Sequence, residues 1–225
     1  MTRTSPPALV TTRHSWHLVA EHVLAAGQFA ASGTVRLRPH PGGLATTAGV
    51  GGRQLAVVGD RLVVTDGGTR HQHPLTTLGR AAEDAGVALG LRGSYAPATV
   101  PDPDAPLPVD AAAAHRLAGW YALGDTALRR LTAGLGAPAE PVLWPEHLDL
   151  ALTVDAVNLG VSPGDDATPE PYLYVGPHEG PTSGDPFWNA PFGALVGADR
   201  IRTPDDAVAA FSAGRDRALT DRSRT

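Results

Sequence analysis

Between Trp144 and Phe192 the sequence gathers the side chains best suited to acid–base or coordination chemistry. WPEHLD supplies Trp144, Glu146, His147 and Asp149, and SPGDD supplies Ser162, Asp165 and Asp166. PEPYLYVGPH adds Glu170, Tyr172, Tyr174 and His178, and FWNAPFG adds Trp188 and Asn189. On an extended strand His147 and Asp149 point to one side, about 7 Å apart. Pairing of a strand at 170–175 with one at 147–154 brings Glu170, Tyr172 and Tyr174 to the same side. Such a face holds an imidazole, two carboxylates and two phenols. General acid–base chemistry would then fall to His147, Asp149, Glu170 and Tyr172. A divalent metal would be held by His147, Asp149 and Glu170. Alternatively, Trp144, Tyr174 and Trp188 wall a small-molecule pocket, with Asp165 and Asn189 as polar anchors. A plainer origin exists for each group. His-x-Asp on a wet strand face is solvated, Asp165 caps backbone N–H groups of a turn, and buried tyrosines pack with tethered hydroxyls.

Two further histidine groups have ligand-like spacing. His14, His17 and Glu21 fall at i, i+3 and i+7, one stripe of a helix, and His71 and His73 share one face of a strand. Neither matches HExxH, and a polar helix face or strand face explains them equally well. No GxSxG elbow, dinucleotide fingerprint or phosphate-binding GxxxxGK[ST] is present.

Composition narrows the chemistry further. The chain of 225 residues has no cysteine, which excludes disulfides, thiol catalysis and thiolate metal sites. All 18 basic residues are arginine, so no lysine Schiff base can form. A net charge of −5 without basic clusters argues against nucleic acid as a partner. No apolar run is long enough to span a membrane, and no secretory leader is evident. The expectation is a cytoplasmic protein with a small molecule as possible partner. Cofactor, metal and oligomeric state are left open.

These groups must be positioned by a mixed framework. The spacing predicts a loose start over 1–14 and a helix from Ser15 carrying Trp16, Val19, Ala20, Val23 and Leu24. Short strands follow at Thr34–Arg38, Leu44–Ala48, Gln54–Val58, Arg61–Thr65 and Thr69–His73, with a tight hairpin at Gly59-Asp60. A helix over Leu75–Gly86 closes this half, residues 1–95. Residues 96–108, with five prolines, form a connector or an arm laid on the surface. The other half, 109–225, opens with a helix capped by Asp110 and running to Leu135. It continues with strands at 146–154 and 170–175 joined by a loop at 155–169. A helix over Pro204–Leu219, capped by Thr203, and a frayed tail from Thr220 complete the chain. The fold class is α+β: antiparallel sheet with helices packed on one face, a single compact unit of two β-containing halves.

The order WHL, GGLATT, GGR-x-L, RLVV, a long helix, WPEHLDLAL, SPGDD, EPYLYVGP and FWNAPFG resembles a family of bacterial proteins of unknown function. The likeness runs from about Trp16 to Phe192, with phenylalanine in the family where this chain has Leu148. It implies one integrated domain and supplies no role for any residue. The reading of the residues is therefore a small-molecule-binding protein or enzyme with a polar, aromatic pocket in the C-terminal half. A metal-dependent hydrolase and a non-catalytic structural or interaction protein are the alternatives.

Overall fold

The computed structural model describes residues 6–91, 97–181 and 184–223. The chain is α+β, and every strand pairing is antiparallel. Contacts divide it into two units, Met1–Gly119 with Leu143–Leu148, and Trp120–Val142 with Asp149–Thr225. The division falls inside a helix, not at the proline-rich segment. Among the described residues no helix is long and apolar enough to cross a membrane.

In the first unit, helix α1 (Pro6–Val19) continues through a π-helical turn (Ala20–Ala25) into α2 (Ala26–Ser32). Residues 6–14, expected to be loose, are helical: prolines are tolerated in a first turn, whose N–H groups have no helical acceptor. The rest of the loose start, 1–5, lies outside the described residues, as do 92–96 at the expected junction of half and connector. A meander follows: β1 (Leu37–His40), β2 (Gly43–Thr46), β3 (Gln54–Val58), β4 (Arg61–Asp66) and β5 (Thr69–Pro74). β6 (Val142–Trp144) joins beside β1 through Leu37 and Leu143, and β5 is the far edge. In β3 and β4 the pairs Leu55–Val64 and Val57–Leu62 are buried, and the π-turn packs on β1, β2 and β3. The opposite face carries only a small cluster of Ala45, Ala56 and Val63. Gly59 has φ 58°, the conformation a two-residue hairpin turn demands, and its carbonyl accepts from Trp16 Nε1 at 3.0 Å.

Helix α3 (Leu78–Ala85) starts three residues later than the pattern predicts, because Thr77 caps it by accepting from the Arg80 amide. The proline-rich segment is an arm: Leu78 and Gly79 amides donate to Ala105 and Pro103, and Leu107 donates to Thr76. His73 lies 3.5 Å from Asp84, which Arg80 also contacts at 2.6 Å, so the HQH strand leans on an ion pair.

Helix α4 (Ala111–Gly134) carries the chain into the second unit, where β7 (Asp149–Val154), β8 (Val157–Ser162), β9 (Tyr172–Pro177) and β10 (Ala194–Gly197) lie in sequence order. Strand β8 corrects the expected loop at 155–169. Asp155 and Ala156, at φ 52° and 58°, form a two-residue turn without glycine, so the usual hairpin signal is missing. Leu150, Leu152, Leu159, Val161, Leu173 and Val175 form the helix-covered face. A Cβ on Gly124 of α4 would lie 2.3 Å from Val161, and one on Gly214 of α5 (Pro204–Arg222) 2.6 Å from Val175. These two glycines let both helices approach the sheet. Thr203 and Asp206 form a reciprocal capping box at the start of α5.

Candidate functional site

The face of the second unit's sheet turned away from that core holds the alternating residues Asp149, Ala151, Asn158, Gly160, Ser162, Tyr172 and Tyr174, most of them buried. Tyr174 stands opposite Gly160, where an added Cβ would lie 2.5 Å from the ring's Cζ and Oη. Only glycine leaves room for the ring to cross β8 and reach β7. There the Tyr174 hydroxyl donates to Asp149 Oδ2 in a close contact. Tyr172 donates to Asp165 Oδ2 at 2.6 Å, while Asp165 Oδ1 accepts the Ala167 and Thr168 amides at 2.8 and 2.7 Å. The two phenol rings meet edge-on at 6.4 Å, and Phe192 meets Tyr174 at 6.2 Å.

The electrostatics decide what this row can do. Burial, reinforced by the Asp165 carboxylate, pushes the Tyr172 phenol up to about 12. Burial raises Tyr174 further, with the Asp149 charge second. Charge near charge in a dry site disfavours phenolate. Both phenols therefore remain neutral donors at physiological pH. Each is tied to a carboxylate, so the row braces β7, β9 and the 163–168 turn.

The remaining candidates lie apart from this row. His147 is exposed in the turn at 145–148, because Leu148 takes a left-handed φ of 51° and the strand begins only at Asp149. Glu170 is exposed at a bend before β9. The set His147, Asp149 and Glu170 expected for the hydrolase alternative is thus not assembled. Among the described residues no group of three or more His, Asp or Glu is placed to hold a metal. The helical stripe is broken too: Glu21 turns into the interior, where the π-turn adds a residue to the helical repeat, while His14 stays exposed. Trp144, in the first unit, stacks under the Arg36 guanidinium at 5.9 Å from its ring centre. Trp188 donates to Asp221 of α5 at 2.9 Å and meets Phe187 edge-on.

Asn189 has a role that its type alone does not announce. Its amide donates to the Leu195 carbonyl at 3.0 Å and accepts the Leu195 N–H at 2.8 Å. It thus occupies the hydrogen-bonding edge of β10 as a neighbouring strand would. Replacement by alanine is expected to cost about 1 kcal/mol and to bare an edge that pairs with other chains. Urea denaturation and sedimentation at millimolar concentration check this. Unchanged stability and no association beyond wild type would contradict it.

Beside Asn189 runs a groove of about 420 Å³ between β10, the 186–189 segment and the first turns of α5. Phe187, Leu195, Val196, Ile201 and Ala210 give it apolar walls, and Arg200 and Asp206 stand at its rim. Asp206 is committed to the Arg202 and Thr203 amides. Arg200 is exposed and makes no hydrogen bond or ion pair among the described residues. A smaller cavity of about 180 Å³ lies between His178, Pro181, Ala218 and Arg222. Neither space is lined by Asp149, Tyr172 or Tyr174. The pattern of short polar residues missed this groove because its walls are apolar and come from three separated segments. No family model, no curated protein and no solved structure matches the chain.

Proposed function

We propose that this chain is a small-molecule-binding protein whose ligand has an apolar body and a carboxylate. The groove beside β10 carries the proposal. Its size falls in the range of small-ligand sites, and its lining is apolar with few polar groups. Arg200 is a cation at its rim, and an anionic head beside it would gain a charge-assisted hydrogen bond. The neutral, carboxylate-bound phenols of β9 favour bracing over catalysis, so binding is preferred to acid–base chemistry. The resemblance to a bacterial family stands beside this proposal and contributes no residue role. A cytoplasmic location is likewise proposed, from composition alone.

Calorimetric titration with octanoate and phenylacetate, and with their uncharged amides, tests the reading. Binding of the acids, weakened at least fivefold in the amides and in Arg200→Gln, is the expected result. An exposed charge-assisted contact contributes about 1 kcal/mol, which corresponds to that factor. No heat from either acid at millimolar concentration would overturn it.

A further inference from the structure

We propose that residues 97–100 form an acid-released strap, latched to the π-turn of the first unit by Glu21 and His22. Among the described residues, the side-chain hydrogen bonds of this stretch converge on those two residues. Glu21 Oε1 accepts the Ala98 amide at 2.6 Å, and Oε2 accepts the Thr99 amide at 2.9 Å and the Thr99 hydroxyl at 2.5 Å. His22 Nε2 lies 2.8 Å from that same hydroxyl. Thr99 has one proton and gives it to Glu21, so Nε2 carries the hydrogen and donates to Thr99. The neutral tautomer then leaves a bare lone pair on Nδ1.

That nitrogen is the sensor. Glu21 and His22 are both fully buried, and His22 Nδ1 has no hydrogen-bond partner among the described residues. Protonation would place an N–H with no acceptor in a dry interior. Burial accordingly holds His22 below its ordinary value, with the Glu21 charge opposing the shift. The sign follows directly. A released imidazole takes up its proton near pH 6.5 and a latched one does not, so latching is favoured above that pH and weakens below it.

Few other charges face the ring. Glu21 on the same turn lies 3.6 Å away, and His17 on α1 feels both Glu21 and His14. The neighbouring α3 carries Asp84, which is tied to Arg80 and His73. From β1, β2 and β3 the buried residues are uncharged, among them Leu37, Leu44, Leu55 and Val57.

The latch is local, because the arm beyond it is held without titratable groups. Ala105, Pro103 and Leu107 bond backbone to backbone with Leu78, Gly79 and Thr76. Val100 points outward at 80 % exposure, so no apolar anchor holds the latched stretch. Both latch residues lie in the π-turn, and such turns recur at functional positions.

Amide hydrogen exchange by NMR, corrected for the intrinsic pH dependence, tests the strap in the full chain. Protection of Ala98 and Thr99 should fall several-fold from pH 7.5 to pH 5, with a ceiling of about 30-fold set by an open-state value near 6.5. Amides of β3 and β4 should hold their protection. His22→Gln, which keeps a donor to Thr99, should flatten the response. Equal protection at both pH values, parallel loss in β3 and β4, or an unchanged response in His22→Gln would each overturn the proposal. If that variant does not fold, the wild-type His22 ring titration decides: a midpoint at or above 6.5 overturns the latch.

Discussion

Gly160→Ala is expected to lower the stability of the second unit by about 3 kcal/mol, a large loss for one methyl group. The new Cβ would lie 2.5 Å from Tyr174 Cζ and Oη, nearer than atoms can approach. The strand cannot yield, since β8 is hydrogen-bonded between β7 and β9. The ring must therefore swing away and abandon Asp149, which is only 9 % exposed. Overpacking costs about 1–3 kcal/mol, and losing a hydrogen bond to a buried charge adds to it. A double-mutant cycle in urea isolates the cause. Alanine at 160 should cost little once Tyr174→Ala has removed the ring, giving a coupling of about 2 kcal/mol. Strict additivity would show that the clash is not with Tyr174.

Gln28→Leu is expected to cost about 4 kcal/mol in the first unit. Gln28 is fully buried, and its amide makes four hydrogen bonds to backbone groups. Nε2 donates to the Thr34 and Arg36 carbonyls at 3.0 and 2.8 Å. Oε1 accepts the Thr47 and Ala48 amides at 2.7 and 2.8 Å, while the Thr47 hydroxyl gives its one proton to the nearer Arg36 carbonyl at 2.8 Å. One side chain thus joins α2 to the segments before β1 and after β2. Leucine fills similar space but strands the Thr34 carbonyl and the Thr47 and Ala48 N–H groups, at roughly 1–3 kcal/mol for each that water cannot reach, while the Arg36 carbonyl keeps the Thr47 hydroxyl. Against a total of about 5–15 kcal/mol this threatens folding itself. A urea midpoint within 1 kcal/mol of wild type would contradict the role assigned to this amide.

Much of this framework was legible where local chemistry and tertiary structure agree. Gly59-Asp60 marks the β3–β4 hairpin, Thr203 the cap of α5, and the prolines of 96–108 an arm. The alternation of leucines from Leu150 onward correctly separates a helix-covered face from one carrying Asp149. Legibility failed where backbone conformation departs from residue preference. Leu148 takes a left-handed φ that its side chain disfavours, which removes His147 from the strand. Asp155-Ala156 turns a hairpin without glycine, which conceals β8. Glu21 and His22 share a target inside a π-turn, which α-helical spacing does not announce. Gly160 and Asn189 are explained by a ring and a strand edge that no sequence window contains.

The groove beside β10 is tested most directly by mapping backbone amide shifts during titration with octanoate. Binding there predicts saturable shifts concentrated at Leu195, Val196, Ile201, Ala209 and Ala210, weakened in Arg200→Gln. The sheet residues Asp149, Tyr172 and Tyr174 should barely move. Shifts absent at millimolar octanoate, or concentrated on Tyr172 and Tyr174 instead, would contradict binding in the groove.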